Sequence, residues 1–362
     1  MPEIWLSYGP TNVVIDVKAE NLEKQIVPGG VNLTDSEIFA KLESLDLSKP
    51  TEFVIMEHSE TIQKVISVLL DVCEKKSFQK PKFLVDKSNL NYMKNVLSDS
   101  TISISEFDSS QFSNTNLIFV GEMEFDGLFG YNTISTKLLR RFGKDNMLDA
   151  YEKREGNLPL PGYELKTMDV AKKFTDGFEI SALEIVANQT GVVDLATGHP
   201  SSTSLLSKSL SSIALQQAEK HRVTIVSTGK EASNETLSRS LSAIWNCSNA
   251  IKEEGLVILL AECKHGLGSE AIQQYVEGRM NLDRLKNPSK YIDGMEELLF
   301  LSEMRKKFQM GIVSILPHLF TKDKLGMIPF SGAKQAIDYI LKTYGNNQKA
   351  VIVPDGFHVL LR

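Results

Sequence analysis

"IKEEGLVILLAECKHGLGSEAI", residues 251–272, sets an apolar run, Leu256–Ala261, against a Gly-x-Gly loop and then a helix-like segment. A short run that is apolar at every position is the pattern of a strand buried on both faces, which is how a parallel strand lies beneath covering helices. Strand, glycine turn and helix in that order make one unit of an α/β fold. Upstream, "RVTIVSTG" (222–229) reads as a second such strand. Residues 234–252 read as the helix between them, with Leu237, Leu241, Ile244, Trp245 and Ile251 on one face and Ser233 or Asn234 as N-cap. Downstream, helices near 269–279, 292–309 and 332–344 alternate with the strands "GIVSIL" (311–316) and "AVIVPDG" (350–356).

The N-terminal part carries a unit of the same kind. "IWLSYGPTNVVIDV" reads as a β-hairpin about Gly9-Pro10-Thr11-Asn12. "FVIM" (53–56), "KFLVD" (82–86), "ISI" (102–104) and "NLIFVGE" (116–122) read as strands, separated by helices over "TIQKVISVLLDVCEKK" and "NLNYMKNVL". After the turn-rich "GNLPLPG" (156–162) come sheet-like stretches at 178–188 and 191–198 and a Ser-rich helix over 201–218. The expected fold is therefore two α/β domains, residues 1–219 and 220–362, each a largely parallel sheet flanked by helices, with a β-hairpin at the N-terminus.

Composition narrows the function classes. The chain has 362 residues, 42% hydrophobic and 24% charged, as an ordinary globular protein does. A net charge of -6 with Lys and Arg spread along the chain gives no basic stripe, so nucleic acid is not an expected partner. The longest apolar run falls far short of the roughly 20 residues that span a bilayer, so no membrane association is expected. The three cysteines, Cys73, Cys247 and Cys263, are scattered and odd in number, which points to a reducing, cytoplasmic compartment and away from a zinc site.

Gly266-Leu267-Gly268-Ser269-Glu270-Ala271 satisfies G-x-G-x-x-A, in which glycines let the backbone approach a dinucleotide pyrophosphate. The fingerprint also asks for a strand ending in an acidic residue about 20 positions on. Here the next strand-like run begins at Gly311. A strand-to-helix turn using glycine for positive φ explains the same residues, and an NAD-dependent oxidoreductase stays open as an alternative.

Taken in order, Gly229, the 234–252 helix, "IKEEGLVILLAEC" and Gly266-Leu267-Gly268 resemble the C-terminal domain of the nickel-pincer lactate racemase family. The resemblance implies two α/β domains with the active site in the cleft between them. It also implies a nickel pyridinium dithiocarboxylate mononucleotide on a lysine, a hydride taken from a 2-hydroxy acid, and two histidines exchanging the hydroxyl proton.

Carried over residue by residue, the family's motifs are mostly replaced. The first, with its substrate arginine, falls on Glu57-His58-Ser59-Glu60-Thr61 and the second on "DKSNLNY" (86–92), which has neither His nor Arg. The third falls on "GEMEFDGLFGYNTISTK" (121–137): Glu124, Gly130 and Tyr131 keep the pattern, Asp126 stands at the catalytic histidine, Thr136 at the anchoring lysine, and Lys137 one position later. The fourth falls on Gly156-Asn157-Leu158-Pro159-Leu160, without its histidine. Ser238, Arg239 and Ser242 follow the C-terminal glycine turn.

On this reading His58, Glu57 and Asp126 are the candidate acids and bases, with Glu122 and Glu124 beside them. Lys137, Tyr131, His265, Gly266 and Gly268 are the candidate cofactor contacts, and His199, Trp245, Cys247 and Cys263 read as structural. The expected function is a diverged racemase or epimerase acting on a small anionic 2-hydroxy acid. The alternative is a catalytically degenerate small-ligand-binding or interaction protein on the same scaffold.

Overall fold

The computed structural model describes residues 3–87, 90–96, 102–108, 116–154, 156, 158–229 and 231–362. The chain opens with β1 (Glu3–Tyr8), β2 (Thr11–Asp16), β3 (Leu22–Gln25) and α1 (Asp35–Leu42). Then follow β4 (Glu52–Ile55), α2 (Glu60–Lys75), β5 (Lys82–Val85), α3 (Leu90–Val96), β6 (Ser103–Glu106), β7 (Leu117–Glu122), β8 (Glu124–Asp126) and β9 (Gly130–Asn132). Three helices, α4 (Ile134–Phe142), α5 (Lys144–Glu152) and α6 (Lys166–Thr175), precede β10 (Ser181–Asn188), β11 (Gly191–Gly198), α7 (Leu206–Ala214) and β12 (Leu215–Gln216). The remainder is β13 (His221–Ser227), α8 (Leu237–Cys247), β14 (Ile251–Leu260), α9 (Glu270–Val276), α10 (Met295–Met304), β15 (Gln309–Val313), β16 (Ile328–Phe330), α11 (Ala333–Tyr344), β17 (Ala350–Val353) and β18 (Leu360–Leu361).

These strands form two six-stranded sheets, in the orders β11-β10-β7-β4-β5-β6 and β16-β15-β14-β13-β17-β3. Every pairing in them is parallel except β10 with β11. The α/β architecture and N-terminal hairpin match the expectation from sequence. The first residues go to the far sheet, however: β3 pairs with β17, and Ile4, Leu6, Ile15 and Val17 pack on Ile225, Ile258 and Leu260. Below, "first half" and "second half" mean the two sheets with their helices.

Local chemistry sets the element ends. The Ser59 hydroxyl accepts from Ile62 N at 3.0 Å and starts α2, whose buried face runs Ile62, Val65, Ile66, Leu69, Val72 and Cys73. The helix expected over 234–252 is shorter, spanning Leu237–Cys247 with Thr236 as its N-cap. Ser233 and Asn234 do not cap it because their side chains donate back to Thr228 O and Gly229 O, closing the preceding turn. By Ile251 the chain is already strand, paired opposite His221. Helices α5 and α6 have no counterpart in the sequence reading; α4 buries Ser135, Thr136 and Lys137 beside Ile134, Leu138 and Leu139, so polar residues interrupt its apolar stripe.

The largest core spans both halves, joining Phe125, Leu128 and Phe129 to Leu241, Trp245 and Phe300. A Cβ on Gly127 would lie 2.3 Å from the Trp245 ring, so only glycine permits that approach. Each sheet has a strand flanked by connections running in opposite directions. In the first half β4 leads to β5 and β6 on one side and has β7 on the other; in the second, β13 has β14 to β16 on one side and β17 on the other. Ligands of open α/β sheets gather beyond the carboxyl ends of strands at such reversals.

Candidate functional site

The first reversal presents the segments after β4 and β7. Glu57 Oε1 accepts from Lys137 Nζ and from Glu122 N, each at 2.6 Å, and Lys137 Nζ also donates to Glu122 O at 2.6 Å. Gly121 makes this arrangement fit: a Cβ there would lie 3.1 Å from Glu57 Oε1 and 3.2 Å from Lys137 Nζ. A glycine inside "NLIFVGE" was the available sign of a close approach in a strand. Ser59, besides capping α2, donates to Glu122 Oε1. Burial pushes the Glu57 carboxyl above its ordinary range, with the charge of Glu124 adding to the push against the pull of Lys137 and Arg239.

From the second half, the first turn of α8 brings Arg239, whose Nη2 donates to Glu124 Oε1 at 2.8 Å while Asn132 donates to Glu124 Oε2 at 3.2 Å. Burial would raise Glu124, but Arg239 and Lys137 together hold its carboxyl below the ordinary range. The guanidinium lies 5.1 Å above the Phe357 ring. His58 Nε2 is 3.8 Å from Glu235 Oε1, and Glu235 also faces Lys264 at 3.5 Å and His265 at 3.7 Å. His58 and His265, far apart in sequence, thus share one carboxylate across the two halves.

The second reversal contributes a pair the sequence reading passed over. Asp355 and His358 follow β17, with His358 Nδ1 2.7 Å from Asp355 Oδ2, while Asp355 Oδ1 accepts from the backbone of Phe357 and His358 at 3.2 Å each. Their signal was position alone: an Asp-x-x-His just past a buried strand.

Other expected site residues lie elsewhere. Asp126 Oδ1 closes a turn by accepting from Leu128 N and Phe129 N at 2.8 and 2.7 Å, and Oδ2 pairs with Arg140 at 2.8 Å. Both oxygens are in use, in a network with Glu296 and Tyr291 rather than with Glu57. The Tyr131 hydroxyl donates to Gly162 O at 2.9 Å and meets Ser211 Oγ at 2.9 Å in the core. Cys247 and Cys263 are buried, with thiols pushed up to about 12 by desolvation, which keeps them un-ionised. His199 closes its own turn through Ser201. In "DKSNLNY" the positions 88 and 89, and in "GNLPLPG" position 157, lie outside the described residues.

The Gly-x-Gly loop turns the chain and caps its neighbour. Gly266 and Gly268 both have φ of +81°, and the carbonyls of Gly266 and Leu267 accept from Leu237 N and Ser238 N at 3.0 Å each, satisfying the start of α8. At α9, Ser269 Oγ accepts from Ile272 N and Asp293 O accepts from Ala271 N. In the first turn of α9, the N–H groups of Ala271 and Ile272 are thereby engaged internally.

No family model matches this sequence, and no curated protein sequence matches it. Among solved structures, the lactate racemase apoprotein from Thermoanaerobacterium thermosaccharolyticum aligns over 100% of both chains with a TM-score of 0.72 and 16% identity. The chain has the lactate racemase fold. A Thermotoga maritima protein aligns with 92% of this chain and 100% of its own at a TM-score of 0.64 and 10% identity. Likeness at this identity speaks to the lactate racemase fold and not to chemistry.

The residues around Lys137 do not fit a lysine-anchored pincer group. Covalent anchoring needs a free amine with space beyond it, whereas Lys137 Nζ is buried and bonded to a carboxylate and a carbonyl. Among the described residues, no group of three or more His, Cys, Asp or Glu side chains is placed to hold a metal ion. Nor does any described helix have the length and apolarity to cross a membrane.

Proposed function

We propose that this chain binds a small carboxylate metabolite, of the 2-hydroxy acid class, in the cleft of a lactate racemase scaffold, without a lysine-anchored pincer cofactor. Arg239 carries the reading. It spends one N–H on Glu124, its side chain is 32% exposed, and it forms no other ion pair among the described residues. A guanidinium has five donors in a fork that matches a carboxylate, so the ones left over form a receptor at the edge of the cluster. Glu122 and Glu124 repel an incoming anion less than their charges suggest, because Ser59, Asn132 and Arg239 already engage them.

Calorimetry with glycolate, L-lactate and D-lactate tests this. Wild type binds at least one, and Arg239→Lys, which keeps a charge beside Glu124 but loses the fork, weakens binding by roughly tenfold or more. Equal affinity in the variant refutes the assignment.

The second reading is a working pincer enzyme, favoured by one observation: Lys137 reaches the cluster although the sequence places it one position beyond the family's lysine. Elemental analysis and intact-mass measurement on protein co-expressed with the cofactor-synthesis proteins separate the two. We expect an unmodified mass and no stoichiometric nickel. A Lys137 adduct with nickel, lost in Lys137→Ala, would establish the enzyme instead.

A further inference from the structure

The Asp355–His358 pair has the build of an oriented acid–base group. Asp355 is fully buried, and its two oxygens take three hydrogen bonds, all from residues 357 and 358. It is fixed from the other side as well: Thr228 and Asp355 form an isolated β-bridge, and a Cβ on Gly229 would lie 2.5 Å from Asp355 Oδ1. With Nδ1 committed to this carboxylate, Nε2 is the ring nitrogen left to act.

Its surroundings place His358 in the cleft cluster. Phe357, the preceding residue, is the ring beneath Arg239, and its ring centroid is 6.4 Å from that of His358. The charges that act on the imidazole are Asp355 on its own segment and, from β7 and β8, Glu122 and Glu124, the latter bonded to Arg239 of α8. The reversal of the second sheet thus delivers a histidine to the carboxylates at the reversal of the first, and no element of the sequence pattern shows that meeting.

We propose that His358, oriented by Asp355, is the second cation of the carboxylate receptor: Arg239 supplies a permanent charge, and His358 supplies a proton-dependent donor from Nε2. This rests on the small-anion reading of the cleft. Burial opposes protonation of His358, but the charge and hydrogen bond of Asp355, with Glu122 and Glu124 behind, raise the imidazolium above its ordinary value. Ligand affinity should then be highest below that raised value and fall as pH rises through it. Arg239, charged throughout, keeps a residual affinity above it.

Two measurements test this. In the ligand-free protein, the imidazole signals of the six histidines are followed against pH by NMR, with His358 assigned by its loss in His358→Gln. The expected midpoint lies above the ordinary 6.5, and Asp355→Asn, which keeps an acceptor for the backbone of residues 357 and 358, lowers it by about a pH unit or more. An ordinary or depressed midpoint in wild type overturns the inference and leaves the Arg239 site standing.

In the second, calorimetry with L-lactate, D-lactate and glycolate is run from pH 6 to 9. Wild type should lose affinity by about tenfold or more across the His358 midpoint, whereas His358→Gln binds weakly and evenly over the range. A His358→Gln protein with wild-type affinity and pH dependence overturns the inference alone. A wild type that binds no probe at any pH removes the small-anion reading and this inference together.

Discussion

At Glu184 a single carboxyl has been drawn wholly into the first half of the molecule. Its side chain is fully buried, Oε1 accepts from Ile134 N at the start of α4, and Oε2 has no hydrogen-bond partner. Burial raises this carboxyl above its ordinary value, against the backbone hydrogen bond from Ile134. A carboxyl raised on folding holds its proton more tightly folded than unfolded. Its stabilisation is therefore complete below the unfolded value near 4.5 and is lost as pH rises through the folded one. Glu184→Gln removes that loss, so the melting temperature of the variant relative to wild type should climb between pH 5 and pH 8. A difference that stays flat over that range means Glu184 is not titrating as its surroundings imply. Nothing in "SALEIVAN" marked this residue, since a lone Glu in a strand reads equally as an outward-facing one.

The element that matters most for the Glu57–Glu124 cluster from the second half is the first turn of α8. Thr236 accepts from Arg239 N at 3.4 Å, while the Gly-x-Gly loop closes on the two intervening N–H groups. One short turn therefore holds the helix start and sets the backbone from which Arg239 reaches Glu124. Gly268 is locked to it from outside: a Cβ there would lie 2.3 Å from the Thr236 Cβ, at a φ of +81°. Gly268→Ala should cost roughly 2–4 kcal/mol, combining left-handed strain with overpacking, measured by urea unfolding. A loss under about 0.5 kcal/mol, the range of an unremarkable surface change, would mean the loop can shift away from Thr236. The alternation of strands and helices was legible here because buried parallel strands leave long apolar runs. The true cap was not, because Ser233, Asn234 and Thr236 are all good capping residues and only the turn decides which one is free to cap.

Across the whole molecule, ion pairs as well as the shared core join the two halves. Arg140 of α4 pairs with Asp126 at 2.8 Å and with Glu296 of α10, while Tyr291 donates to Glu296 Oε2 at 3.0 Å. Burial opposes the charge of Arg140, but Asp126 and Glu296 carry it well above its usual value. Removing a buried partner leaves charges without compensation, so Arg140→Ala should destabilise the protein by about 3–5 kcal/mol in urea unfolding. A cost near that of a surface pair, about 0–1 kcal/mol, would show that this junction is solvated. The same pairing explains why Asp126, placed by the sequence among catalytic groups, serves as a strut: its fate depended on an arginine fourteen residues on and a helix from the other half.

By itself the sequence determined what local pattern can determine. Apolar runs, glycine turns and capping residues specify parallel strands with helices over them, and so the α/β class and the N-terminal hairpin, because burial on both faces and positive φ restrict the residues allowed at each position. Tertiary structure alone decided which charges meet. Glu57, Glu124, Arg239 and His358 lie on four separate segments, and their partners follow from where two sheets reverse and how the halves close. A carboxylate or histidine looks the same in sequence whether it faces water, a strut or a cleft, because its chemistry is set by neighbours brought in by long-range packing.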